Sequence, residues 1–150
     1  MAQALMPSRL LARFALVLVA FVSTSLALVT VGRAGDLSGS WDGFYEYGNG
    51  QPPVYFIMTI QHGGSNVSGS IVEVQTFGEH LSDGLLSANI SGSTTGPTVV
   101  FTKTYDGSGG VAHSVVYRGT LVKTDDGVSI LAGTWQTGGM QGGWMASLVD

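Results

Sequence analysis

Beyond residue 38 nearly every segment alternates apolar with polar side chains, the period of a strand with one buried face. Glycine pairs and Asp-Gly dipeptides break the alternation at regular intervals. The pattern predicts eight strands, at residues 40–47, 54–61, 66–75, 85–91, 98–105, 112–123, 128–136 and 143–149. The links at 62–65, 106–110, 124–127 and 138–142 are short and rich in glycine, which supplies backbone positions with positive φ. No segment after residue 34 shows helical periodicity. The expected fold is all-β, an eight-stranded antiparallel up-and-down barrel, because closure leaves no exposed edge. A two-sheet sandwich is the alternative.

The phase of each strand marks its inward face. The second strand offers Phe56, Met58 and Ile60, the fifth Val99 and Phe101, and the seventh Leu131, Gly133 and Trp135. Outward faces such as Thr102/Thr104 and Ser68/Ser70 are too polar for lipid, so the pattern argues against an outer-membrane barrel. A barrel of eight strands is just wide enough to be filled by side chains or to hold one small ligand.

The first third of the chain differs. Residues 1–14 carry Arg9 and Arg13 and no acid, and residues 15–31 are apolar apart from four hydroxyl residues. A positive start, an apolar middle and a small-residue exit are the parts of a secretory signal. Cleavage is expected after Gly32-Arg33-Ala34 or after Ser25-Leu26-Ala27. Residues 1–34 are thus read as a signal peptide and 35–150 as one barrel domain, exported to the periplasm or the medium. The alternative is an uncleaved anchor, since the apolar run is near the length of a spanning helix. The overall look is bacterial, so the sequons at Asn66 and Asn89 are read as coincidence.

Removing the leader changes the charge. The whole chain carries six basic and ten acidic residues, a net charge of −4. After residue 34 only Lys103, Arg118 and Lys123 stand against the ten acids, giving −7. Such a surface repels phosphate backbones and anionic lipid, which argues against nucleic-acid and membrane partners. The chain has no cysteine, which rules out disulfides and thiolate metal sites, so the core alone must hold the domain together.

Catalytic and metal motifs are sparse. His62, in a glycine turn, and His80, in a long loop, are expected to be solvated, and no histidine pair has metal-ligand spacing. No Gly-x-Ser-x-Gly elbow is present, and no glycine pair precedes a helix that could hold phosphate. Asp125-Asp126-Gly127 lacks the remaining ligands of a calcium loop. Neither a metal nor a cofactor is expected. What remains is a polar set in phase with the inward faces: Glu73, Lys103, Tyr105, His113 and Tyr117. Buried charges are costly unless paired. Lys103 is therefore expected to pair with Glu73 near one rim, where the set either packs or hydrogen-bonds a ligand. With Trp41, Tyr45, Phe56, Met58, Phe101 and Trp135 it makes up the candidate ligand-binding residues.

Several segments resemble the avidin/streptavidin (calycin-type) secreted barrels. Leu37-Ser-Gly39-Ser-Trp41 is similar to that family's first strand, 66–73 to its third, 112–119 to its Ala-His-Ser strand, and 130–149 to its last two strands, each with a tryptophan. Phe101-x-Lys103-x-Tyr105 followed by His113-x-Val115-x-Tyr117-x-Gly119 also resembles uncharacterised bacterial barrels and the C-terminal barrel of F-box protein 31. The avidin resemblance implies that Trp135 and Trp144 stand against the ligand, the latter reaching into a neighbouring subunit, with homo-oligomers as partners. Phe101 would replace a further tryptophan and Ser114 match a carboxylate-binding serine. Gly43, Ile71 and Glu73 replace the residues that bind the ureido group, and Asp150 stands near the final ligand aspartate. The resemblance therefore implies the barrel without tight biotin binding.

Aligning the sixth strand on Ala112-His113-Ser114 puts Ser114, Val116 and Arg118 inside, whereas aligning it on Gly119 puts His113, Val115 and Tyr117 inside. One residue of slip inverts both faces, and an inward tyrosine costs less than an inward arginine, which favours His113. Three functions compete: a secreted barrel for a small-molecule or peptide-tail ligand, a filled barrel with a structural or interaction role, and a cyclase- or isomerase-type enzyme using Glu73, Lys103 or His113.

Overall fold

The computed structural model describes residues 35–149; the proposed signal peptide, its cleavage site and Asp150 lie outside the described residues. Eight strands follow one another: β1 Gly39–Tyr45, β2 Val54–Gly63, β3 Asn66–Val74, β4 Leu85–Thr95, β5 Thr98–Tyr105, β6 Ser114–Lys123, β7 Ser129–Thr137 and β8 Met140–Val149. Each pairs antiparallel with the next, and β8 returns to β1, so the sheet closes into an up-and-down barrel and not a sandwich. The only helical turn among the described residues is the 3₁₀ segment Ser108–Gly110 between β5 and β6.

Alternation fixes the inside. On β2 the side chains of Val54, Phe56, Met58 and Ile60 are buried, and on β5 those of Val99, Phe101, Lys103 and Tyr105. Ser68, Ser70 and Thr104 face outward. In β6 Val115, Tyr117 and Gly119 are buried while Ser114, Val116 and Arg118 are exposed, which settles the register in favour of the Gly119 alignment. Ser114 lies outside, its hydroxyl 2.9 Å from that of Thr104.

Several boundaries differ from the sequence pattern, and three of the shifts have a local cause. β6 begins at Ser114, so His113 precedes the strand, because Gly107, Gly109 and Gly110 all take positive φ and the chain loops before pairing resumes. β8 begins at Met140, because Gly138 and Gly139 alone make the turn and the later glycines of that run lie in the strand. β4 runs on to Thr95, its polar residues pairing with β5 through Thr95 and Thr98.

One end of the barrel is sealed. The segment before β1 folds beneath it: Leu37 is buried, and the Trp41 indole donates to its carbonyl at 2.9 Å. His62 is not solvated in a turn, as the two glycines after it suggested. It lies in β2 with a side chain only 8% exposed, accepting the Leu37 N–H at Nδ1 (3.2 Å) and contacting Thr94 Oγ1 through Nε2 (3.2 Å). Because Nδ1 accepts from a backbone amide, the ring proton resides on Nε2.

Candidate functional site

The middle of the barrel is filled. Phe101 and Tyr117, cross-strand partners on β5 and β6, stack with ring centroids 5.0 Å apart. Trp144 from β8 meets both edge-on, at 5.7 and 5.5 Å. Its indole N–H donates to the Arg118 carbonyl at 3.0 Å across the glycine pair Gly119 and Gly133. A β-carbon on Gly119 would meet Trp144 at 2.5 Å, so glycine is what admits the indole. Trp144, which the resemblance assigned to a neighbouring subunit, is thus buried within its own barrel, 3% exposed.

Above this layer Glu73 of β3 and Lys103 of β5 form an ion pair with almost no solvent access, each residue 1% exposed. Phenols complete it. Tyr105 Oη donates to Glu73 Oε1 and accepts from Lys103 Nζ at 2.8 Å, while Tyr45 Oη donates to the same carboxylate oxygen at 3.2 Å. The ammonium lies 4.3 Å from the Tyr105 ring centroid and 5.2 Å from that of Tyr45. Among the described residues no buried polar side-chain atom is left without a partner.

Burial governs the electrostatics. It drives the Lys103 ammonium below its usual range, and the adjacent Glu73 carboxylate pulls it partly back. It pushes the Tyr45, Tyr105 and Tyr117 phenols well above theirs, and the negative charge of Glu73 adds to the rise. The three phenols are therefore neutral, and those of Tyr45 and Tyr105 donate to Glu73.

Tyr45 and Tyr105 are also the floor of a cavity of about 590 Å³ at the open end. Two aromatic groups wall it. On one side Tyr45, Tyr47 and Trp135 meet edge-to-face, with centroids 5.4 to 5.9 Å apart. On the other Phe77, Tyr105 and His113 make a second group, with centroids 4.9 to 5.9 Å apart. Trp135 is anchored by donation to the Glu46 carbonyl at 3.0 Å. Pro52 and Pro53 border the opening.

Of the residues singled out in the sequence, Tyr45, Tyr105, His113, Tyr117 and Trp135 line this cavity. His113 does so from the loop before β6, its ring exposed and laid against Tyr105. Glu73 and Lys103 lie just beneath the floor. Phe56, Met58 and Phe101 are packed deeper, and Trp41 closes the opposite end. The pattern did not single out Tyr47, Phe77 or Met140. Tyr47 was findable, two residues from Tyr45 in the same phase, whereas Phe77 sits in a loop without periodicity.

Glu73 and His113 do not form a direct acid–base couple: the carboxylate is held by Lys103, Tyr105 and Tyr45, and the imidazole packs at a tilt against the Tyr105 ring. The arrangement offers an apolar, aromatic-walled recess with phenols at its base. Comparison of the chain with family models and with curated proteins gives no match.

Proposed function

We propose that this chain is an exported small-ligand-binding β-barrel whose site is the aromatic recess at the open end. The observation that carries the reading is a cavity of about 590 Å³ set above a filled and hydrogen-bonded barrel middle. Small-molecule sites are concave, mostly apolar and furnished with a few convergent polar groups. The volume suits a compact organic molecule or one or two side chains of a peptide tail.

The family likeness in sequence supports the barrel, but biotin is a poor candidate. Ile71 and Glu73 stand where ureido-binding side chains would be, and Glu73 is committed to Lys103. The interior that a deep ligand would need holds Phe101, Tyr117 and Trp144.

The test is a thermal-shift screen of small apolar and amphipathic compounds, biotin included, against wild type and a Val54→Trp variant that fills the recess. Val54 lines the cavity at the start of β2. A ligand at a hundred times its Kd raises stability by about 2.7 kcal/mol. Stabilisation in the wild type that disappears in the filled variant is the expected result. A screen in which no compound stabilises either protein leaves the filled-barrel reading in its place.

A further inference from the structure

The recess has a charge as well as a shape. Four connections meet at the open end: residues 46–53, 75–84, 106–113 and the turn 138–139. They carry Glu46, Glu79, Asp83 and Asp106, all exposed, and no lysine or arginine. Glu46 stands between the cavity residues Tyr45 and Tyr47, Glu79 shares the loop of Phe77, and Asp106 follows Tyr105. Of the three bases after residue 34, Lys103 lies beneath the recess floor and is neutralised by Glu73, Arg118 points outward from β6, and Lys123 ends β6 at the sealed end.

A second observation lies inside. Tyr117 is 2% exposed and lines the cavity, yet its hydroxyl has no hydrogen-bond partner among the described residues, unlike those of Tyr45 and Tyr105. Since no fully buried polar atom is unsatisfied among the described residues, this oxygen opens on the recess. It is an unclaimed polar group aimed at whatever occupies the site.

From these features, and resting on the recess being a binding site, we infer that its occupant is a hydrophobic cation, an amine or quaternary ammonium carried on an apolar or aromatic body. Aromatic faces attract a cation through their quadrupoles, most strongly when it is desolvated among several rings. Tyr45, Tyr47 and Trp135 supply such faces on one wall, and Phe77 and Tyr105 on the other. The acidic loops raise the local concentration of positive ligands and repel anions. A ligand carboxylate would meet neutral phenols and a rim of like charge.

The experiment is isothermal titration of the protein with three meta-substituted phenols: meta-hydroxyphenyl-trimethylammonium, its neutral isostere meta-tert-butylphenol, and the anion meta-hydroxybenzoate. The expected order is cation, neutral, anion, with the cation bound on the order of tenfold more tightly than the isostere. In Glu46→Gln/Glu79→Gln, whose substitutions are exposed and leave the floor intact, the preference should shrink, as it should at high salt. Equal or tighter binding of the neutral isostere overturns the charge inference and leaves the recess a binding site. Binding of none of the three to a folded protein, checked by its melting transition, overturns both.

Discussion

Lys103 and Glu73 face each other from β5 and β3 across the barrel interior, each 1% exposed, and three hydroxyl or ammonium donors converge on one carboxylate. The pair supports the floor of the recess through Tyr45 and Tyr105. Removing one partner leaves the other charge buried and uncompensated, whereas removing both leaves neither.

Glu73→Leu and Lys103→Met are each expected to lose about 3–5 kcal/mol in urea unfolding. The double variant should lose much less than the sum. Additive losses would show that the two groups do not act as a pair.

How much of this was legible follows from where the constraint lies. The Lys103–Glu73 pairing and the inward face of β6 could be read from the sequence because a two-residue period and the cost of burying charge act along single strands. His62 could not: two glycines follow it, and only the folding of Leu37 under the barrel brings an amide to its ring. Phe77 lies in a loop, where no period exists to place it. Trp144 was assigned to a neighbouring subunit by family likeness, but Gly119 leaves room for its ring inside.

The buried phenols give stability a dependence on alkaline pH. Tyr45, Tyr105 and Tyr117 have folded-state pKa values raised above 10.0, so their contribution is complete below about pH 10 and is lost as pH rises beyond it. Lys103, lowered from 10.5, acts oppositely: its penalty is full below its folded pKa and fades as pH approaches the unfolded value. Above that point the tyrosines govern, and each lowers the unfolding free energy by about 1.4 kcal/mol per pH unit. Urea midpoints measured through this range should fall, with a shallower slope in Tyr117→Phe. A slope unchanged by that substitution would mean the phenol ionises freely in the folded barrel.

At the sealed end His62→Ala removes the acceptor of the Leu37 amide. Orphaning a buried donor costs about 1–3 kcal/mol, so the variant should unfold at lower urea. Amide exchange at Leu37 should speed up more than exchange in the middle of β5. Uniform acceleration would instead indicate a global loss.

Gly119→Ala brings a methyl against the Trp144 ring, where the neighbouring strand leaves no room. A destabilisation of about 1–3 kcal/mol is expected, with an altered Trp144 fluorescence environment. A neutral outcome would show that the indole is not packed tightly against the β6 backbone.

The three tryptophans report from three depths: Trp135 at the recess, Trp144 in the filled middle and Trp41 at the sealed end. Their indole N–H groups give separate resonances in a nitrogen–proton correlation spectrum, so a titration with a ligand from the thermal screen reads the site directly. Binding in the recess predicts that the Trp135 signal moves with saturation while those of Trp41 and Trp144 stay in place. Movement of Trp41 or Trp144 with Trp135 unchanged would contradict it.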